Sequence, residues 1–349
     1  MDARIWHAQA TTAPASMPTP LTAEQCRALT SNERRRYLHD LQDSFERLLL
    51  PRAQTEPVQS GMDRILRKNA RQRPGAKRMI MLDAPFATGK STMIKDWAQG
   101  RHRDWLGDQL SGDLPTWRPQ PGMTADLVPV VYATLRSASK VKEVNAQILA
   151  FLGYPNEGVK RVTTTMVVSA LFTHGVRLLI IDDVHMLTTR SVTGRETLDY
   201  LKFLNSELGE AGGSMLLVGA DLKNGALHAD PQITGRLQYF HLAPYEITTL
   251  PGKQAWQGFL KNAEQILLPY LPGAEPRVFA REHAGFIWRR TQGYVGDTAT
   301  LLTEALLAAL RADTTISREH LAAVTLTERA HHAEADLTAQ ASLLARRAG

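Results

Sequence analysis

The sequence predicts an α/β protein in which a parallel five-stranded sheet lies between helices and is followed by a small α-helical lid. Two observations carry this. Short, continuous apolar runs recur between amphipathic segments, the pattern of strands buried on both faces. From Gly252 onward only helical periodicity remains, with Leu301, Leu302, Leu306, Leu307 and Leu310 on one face. The composition agrees, with 43% hydrophobic and 22% charged residues, which excludes a disordered, collagen-like or coiled-coil chain. Its 349 residues allow one large domain or two to three small ones. Lys and Arg number 41 against 35 Asp and Glu, and the net charge of +6 suits a polyanionic partner without requiring one. The single cysteine, Cys26, excludes an intramolecular disulfide, and no Cys/His cluster has zinc-site spacing. No apolar stretch approaches the ~18 residues of a membrane span. The segment Met1–His7 lacks the basic and apolar regions of a signal peptide. A soluble cytoplasmic protein is expected.

Taken in order, residues 1–20 are rich in Ala, Thr and Pro and read as a flexible leader. Residues 21–60 read as an N-terminal helical segment. Thr22 caps a first helix, and a second carries Leu38, Leu41, Phe45 and Leu48 until Pro51 stops it. That helix either docks on the body or binds a partner. Residues 61–250 form the α/β core, with strands at Met79–Leu82, Leu127–Tyr132, Leu178–Ile181, Met215–Val218 and Tyr239–Leu242. The helical lid covers 251–325, and 326–349 is a loosely patterned tail. Between Arg64 and Arg78 stand seven basic residues in fifteen. This stretch is either a solvated helix and linker or a surface that tracks phosphates.

The first strand runs into Ala84-Pro85-Phe86-Ala87-Thr88-Gly89-Lys90-Ser91-Thr92, which fits the P-loop template G-x-x-x-x-G-K-[ST] with alanine in place of the first glycine. Gly89 lets the backbone approach phosphates, and amides at the helix start point at them. Lys90 would neutralise charge between the β- and γ-phosphates of ATP, and the Ser91 hydroxyl would ligate Mg²⁺. The third apolar run ends in Asp182-Asp183, the form of a Walker B strand. Asp182 would hold Mg²⁺, and Asp183 would polarise the attacking water. In most AAA+ enzymes, which this strand end resembles, that second acid is glutamate; Asp183 is one methylene shorter, so either hydrolysis is slow or the loop sits closer. After the fourth run, Asp221 is a candidate sensor for the γ-phosphate. Arg236, just before the fifth strand, stands where AAA+ rings and filaments, which the chain resembles here, put an arginine finger aimed at a neighbouring subunit; otherwise it is a helix-end arginine that satisfies carbonyls. No basic residue opens the helix after Thr291-Gln292-Gly293, so a second sensor is either absent or supplied by Arg289 or Arg290.

These residues, together with "LLIIDDVHML", "YLKFLNSELG", "DPQITGRL" and "TQGYVG", resemble the TniB/TnsC family of transposition AAA+ ATPases, and more distantly Mu B and origin-recognition ATPases. The likeness covers about residues 35–325. It implies a P-loop AAA+ fold and an ATP-dependent ring or filament on double-stranded DNA. That assembly would mark a target site and recruit a transposase and a TniQ-like targeting protein. Relatives line an axial channel with loops that correspond here to Arg136, Lys140 and Lys142, and to Lys160, Arg161, Thr163 and Thr164. Such side chains contact phosphates without reading bases, or they form a solvated charged face. Ala84, Asp183 and the unplaced second sensor depart from the family pattern. The alternatives are a helicase loader or replication initiator, and a nucleotide-switched signalling or defence ATPase without DNA contact. The first would normally carry a winged helix, for which residues 312–349 are too short, and the second an effector domain or repeat array.

Overall fold

Each apolar run forms one strand of a single parallel sheet. Strand β1 (Met79–Asp83) is followed by a short antiparallel pair, β2 (Thr116–Trp117) and β3 (Ala125–Asp126). Then come β4 (Val130–Thr134), β5 (Leu178–Asp182), β6 (Ser214–Gly219) and β7 (Leu237–His241). The main sheet has the order β4-β5-β6-β1-β7 with every pairing parallel. The computed structural model describes residues 2–12, 16–135, 140–154, 163–186, 192–224 and 234–348. It divides the chain into two units. The first comprises Met1–Ala13, Glu56–Phe86 and Lys90–Leu242; the second comprises Pro14–Thr55, Ala87–Gly89 and Ala243–Gly349.

In the first unit every residue of β1, β5 and β6 is buried. Side chains alternate between the faces of a strand, so unbroken burial means that both faces are covered. Helices α1 (Ala3–Thr11), α4 (Thr55–Arg71), α5 (Lys90–Leu106), α6 (Val141–Phe151), α7 (Thr164–Thr173) and α8 (Val192–Glu210) belong to this unit. Ile80, Leu82, Ile94, Val131, Ile180 and Leu217 lie in its core, each contributing about 1.5–3 kcal/mol of burial energy. Strand β4 starts at Val130, three residues later than the hydrophobic run suggests. Pro129 has no N–H to give to a ladder, and its carbonyl instead receives the amides of Arg177 (2.9 Å) and Leu178 (3.0 Å).

Residues 1–20 are not simply a flexible leader. Asp2 caps α1 by accepting the Ile5 amide at 2.9 Å, and Trp6 is fully buried against Tyr132 and Phe151. Helix α4 buries Val58, Met62, Ile65 and Leu66. It carries Gly61 where a Cβ would stand 2.5 Å from the Phe240 ring, so the residue type is set by close approach. Its other face exposes Arg64, Arg67, Lys68 and Arg71 around a shallow groove. Lys77 is buried and donates to the carbonyls of Gln72 (3.1 Å) and Arg73.

The second unit is helical: α2 (Ala23–Ala28), α3 (Ser31–Glu46), α9 (Leu250–Leu267), α10 (Ala284–Thr291), α11 (Val295–Ala312), α12 (Arg318–Ala323) and α13 (Glu328–Ala348). Leu41 and Phe45 of α3 share a core with Trp256, Phe259, Leu301 and Leu306, and Arg34 donates to the Leu310 carbonyl at 2.7 Å. The N-terminal helix thus packs among the lid helices of its own unit, where the sequence suggested the ATPase body or a partner. The loosely patterned tail is also corrected. Helix α13 is fixed by the ion pairs Arg329–Asp297 and Arg290–Glu334, the latter at 2.9 Å. No helix among the described residues is long and apolar enough to cross a membrane.

Candidate functional site

At the end of β1 the Ala84 amide donates to the Gly219 carbonyl at 3.0 Å, and the alanine side chain is fully buried. Its φ is not positive, so the first P-loop position has no need of glycine here. The left-handed residues come later, at Ala87 (φ 60°) and Gly89 (φ 74°). Ala87 carries a Cβ in that region at a cost of about 1–2 kcal/mol, the kind of local strain that persists where the surroundings hold the backbone. Within the second unit, Arg52 donates to the Thr88 carbonyl at 2.8 Å and the Gly296 amide donates to the Ala87 carbonyl at 3.2 Å. In the first unit Pro85 is half-buried, Phe86 and Thr92 are exposed, and Lys90 opens α5 with its side chain buried. Its ammonium lies 5.0 Å from the Phe86 ring centroid and 4.0 Å from Asp183 Oδ1.

The two carboxylates that end β5 differ. Asp182 is buried and accepts the Asp183 amide at 2.8 Å and the Tyr132 hydroxyl. Asp183 is in the left-handed region (φ 59°) and half-exposed, with its carboxylate between Lys90 and His185 Nδ1 at 3.9 Å. Burial, then the Asp182 charge, pushes the Tyr132 phenol well above its usual range, and the Ser91 side chain beside this hydroxyl opposes the shift. Tyr132 pairs with Ile180 in the register, so Asp182 is its same-face diagonal neighbour. A serine hydroxyl and a carboxylate are hard oxygen donors that suit Mg²⁺, and a buried lysine beside a backbone turn of positive φ suits a polyphosphate. The residues present therefore fit a magnesium nucleotide.

Residues 49–247 match the family described as Bacterial TniB protein. The chain belongs to that family. No curated protein matches it in sequence. Among solved structures it is similar to the Aeropyrum pernix ORC2 protein in its ADPNP-ADP complexes, with a TM-score of 0.53 and 15% identity over 80% of this chain and 70% of that one. It is similar also to Cdc6p from Pyrobaculum aerophilum, with a TM-score of 0.53 and 16% identity over 79% and 68%. At these identities the likeness is one of fold, that of the AAA+ P-loop ATPases. This TniB-family chain is an AAA+ ATPase.

The other candidate residues of the TniB-family chain fall in several places. Asp221 is exposed, in a left-handed turn (φ 52°) just past β6. The amide of the next residue, Leu222, donates to Asp83 Oδ1 at 3.1 Å. Arg236 is exposed at the start of β7, its carbonyl accepting the Met79 amide at 2.9 Å. Since Met79 pairs with Leu237 and Asp83 with His241, Arg236 stands at the edge of the sheet opposite the P-loop. Lys140 and Lys142 are exposed at the start of α6, where Glu143 accepts the Lys140 amide at 2.5 Å. Thr163 caps α7 by accepting the Met166 amide at 3.3 Å, and Thr164 opens that helix beside the buried Tyr200. Arg136, Lys160 and Arg161 lie outside the described residues. Neither candidate for a second sensor is unengaged. Arg290 is buried and donates to the carbonyls of Leu321, Ala322 and Val324, while Arg289 pairs with Glu334 at 3.7 Å and lies over Phe286.

Sequence reasoning missed Tyr132, Asp83, Tyr239, His185 and Arg52. Asp83 accepts the Tyr239 hydroxyl at 2.5 Å and faces His241 Nδ1 at 3.4 Å. The signal that could have found the tyrosines is a polar-tipped aromatic inside an otherwise aliphatic strand, where the hydroxyl must find a partner.

Proposed function

We propose that this TniB-family ATPase binds ATP with Mg²⁺, assembles on duplex DNA and regulates transposition there by marking a target and recruiting a separate transposase. In this reading Lys90 holds the β- and γ-phosphates, and Ser91 and Asp182 hold the metal. Asp183 orients water, Asp221 senses the γ-phosphate, and Arg236 completes the site of a neighbouring molecule. The observation that carries assembly is the position of Arg236. It precedes β7 by one residue while Asp83 is level with the end of that strand. Five residues at about 3.3 Å each leave it roughly 16 Å along the sheet from the P-loop edge, too far to reach its own nucleotide. An exposed arginine so placed can meet a γ-phosphate only in trans.

The test mixes two variants. Arg236→Ala is expected to fold and bind ATP yet lose most hydrolysis, since a finger supplied in trans is commonly worth about 10³–10⁵ in rate. Adding Lys90→Ala protein, which lacks a working pocket but keeps Arg236, restores part of the activity in proportion to the mixing ratio. Undiminished hydrolysis by Arg236→Ala at every concentration refutes the shared site. DNA contact is read separately. Each phosphate contact contributes about −0.9 to the slope of log K against log salt, so replacing Lys140 and Lys142 together flattens the slope and weakens all sequences alike. An unchanged slope makes these lysines a solvated face.

The second reading, a replication initiator or helicase loader, draws on the fold shared with ORC2 and Cdc6p. Stimulation of a transposase by the purified protein separates the two.

A further inference from the structure

Tyr132 is 5% exposed, and phenylalanine would fill the same space without the cost of a buried hydroxyl. A buried hydroxyl needs a polar partner, and the groups around this one belong to the nucleotide site. Its hydroxyl donates to Asp182 Oδ2 and has the Ser91 side chain beside it. One side chain on β4 thus ties the P-loop hydroxyl, carried by α5, to the carboxylate that ends β5. The ring behind the hydroxyl is held in turn. Trp6 of α1 stacks on it with centroids 5.7 Å apart and planes at 24°, and Lys95 of α5 lies 5.4 Å from its centroid. Helix α1 is fixed to α5 as well. His7 Nδ1 meets His102 Nε2 at 3.0 Å, and Arg103 donates to the Ala10 carbonyl at 3.0 Å. Helix α1 therefore contacts both the tyrosine and the helix that carries Ser91.

Resting on the nucleotide reading above, we propose that Tyr132 is a positioning residue that sets the spacing of Ser91 and Asp182 for Mg²⁺, and that Trp6 transmits the state of this pair to helix α1. Ser91 and Asp182 would turn toward a metal ion the same oxygens that lie against the tyrosine, so the phenol would adjust and its ring would shift against the indole. The N-terminal helix is then a reporter of magnesium nucleotide and an element that can bias its binding.

The test uses the full chain with Tyr132→Phe, which keeps the ring and its stacking on Trp6 and removes only the hydroxyl. Binding of a fluorescent ATP analogue is titrated in EDTA and against Mg²⁺. Emission assigned to Trp6, one of six tryptophans, is obtained by difference from Trp6→Phe. In EDTA the affinity of Tyr132→Phe is expected within about twofold of the parent. The Mg²⁺ concentration for half-maximal tightening rises about tenfold, the scale of one lost hydrogen bond to a charged group. The Mg²⁺-dependent change in Trp6 emission falls by at least half. The conservative Trp6→Phe variant shifts the Mg²⁺ midpoint less, by about two- to threefold, which a purely local packing role would not do. An unmoved Mg²⁺ midpoint in both variants, with an unaltered emission change in Tyr132→Phe, overturns the proposal while nucleotide binding stands. Failure of the parent chain to bind the analogue overturns the nucleotide reading and this proposal together.

Discussion

On one edge of the sheet β4 presents Tyr132 to Asp182 of β5; on the other edge β7 presents Tyr239 to Asp83 of β1. The two arrangements share a register. Tyr132 pairs with Ile180 and Tyr239 with Met81, each two residues before the aspartate it bonds. Each aspartate also accepts a backbone amide, from Asp183 and from Leu222 respectively. The difference lies in the neighbour on the C-terminal side of each acid. After Asp182 comes a second carboxylate turned toward Lys90, and the Ser91 side chain lies beside the Tyr132 hydroxyl. After Asp83 comes the buried Ala84, and the carboxylate is engaged by Leu222, Tyr239 and His241. An acid at the end of a buried strand is thus a frame that serves chemistry or scaffolding, depending on the next residue and on the partner across the sheet.

Substitutions should split these two roles. The largest effect belongs to the Asp182 side. Asp183→Asn is expected to lower ATP turnover by about 10²–10⁴, the range for losing a general base, with ATP affinity changed only a few-fold. Steady-state hydrolysis and analogue binding on the same preparation check this. On the Asp83 side the expected loss is stability. Asp83→Ala leaves the Tyr239 hydroxyl and the Leu222 amide without their acceptor, at about 1–3 kcal/mol each, so the urea midpoint of the first unfolding step falls clearly. A normal midpoint with lost turnover would erase the contrast.

A third prediction uses acid. Burial, reinforced by His7 and Arg103, holds His102 down to about 4. In the unfolded chain it takes up a proton near 6.5, so the folded state binds fewer protons and stability is lost as pH falls from about 6.5 toward 4. The full effect is on the order of 3 kcal/mol. It should be seen as release of α1, read by a red shift of Trp6 emission, and should be absent in His102→Phe. The smallest effect sharpens the comparison most. Tyr239→Phe removes one hydrogen bond to a carboxylate, costs about 1–2 kcal/mol in urea unfolding and leaves the Mg²⁺ midpoint of nucleotide binding alone. A shift equal to that of Tyr132→Phe would make both edges part of the site.

The sheet was legible because its strands are apolar runs with little ambiguity of period, and the P-loop and Asp182-Asp183 were legible because their spacing is fixed by chemistry. Helix α1 was not, since Ala3, Trp6, His7 and Ala10 gain their burial from residues far along the chain, while the local composition reads as a leader. The tail was missed for the same reason: Arg329 and Glu334 are ordinary charges until Asp297 and Arg290 are brought to them. Asp83 went unread because no template marks an acid just before a P-loop, although it ends its strand as Asp182 does. The alanine at position 84 looked like a departure only because a motif records residue types and not φ angles.

Helix α1 also has a history that its packing does not display. His7 and His102 are 95 residues apart, and Trp6 rests on a strand further along still. During synthesis the helix emerges well before β4 and α5 exist to receive it, and a nine-residue helix is marginal alone in water. Its docking closes a long loop, at an entropic cost that grows only slowly with length. Ala3 is itself buried, so a bulky side chain introduced there would burden that closure, and substitutions in this short segment carry a thermodynamic cost that its composition does not announce.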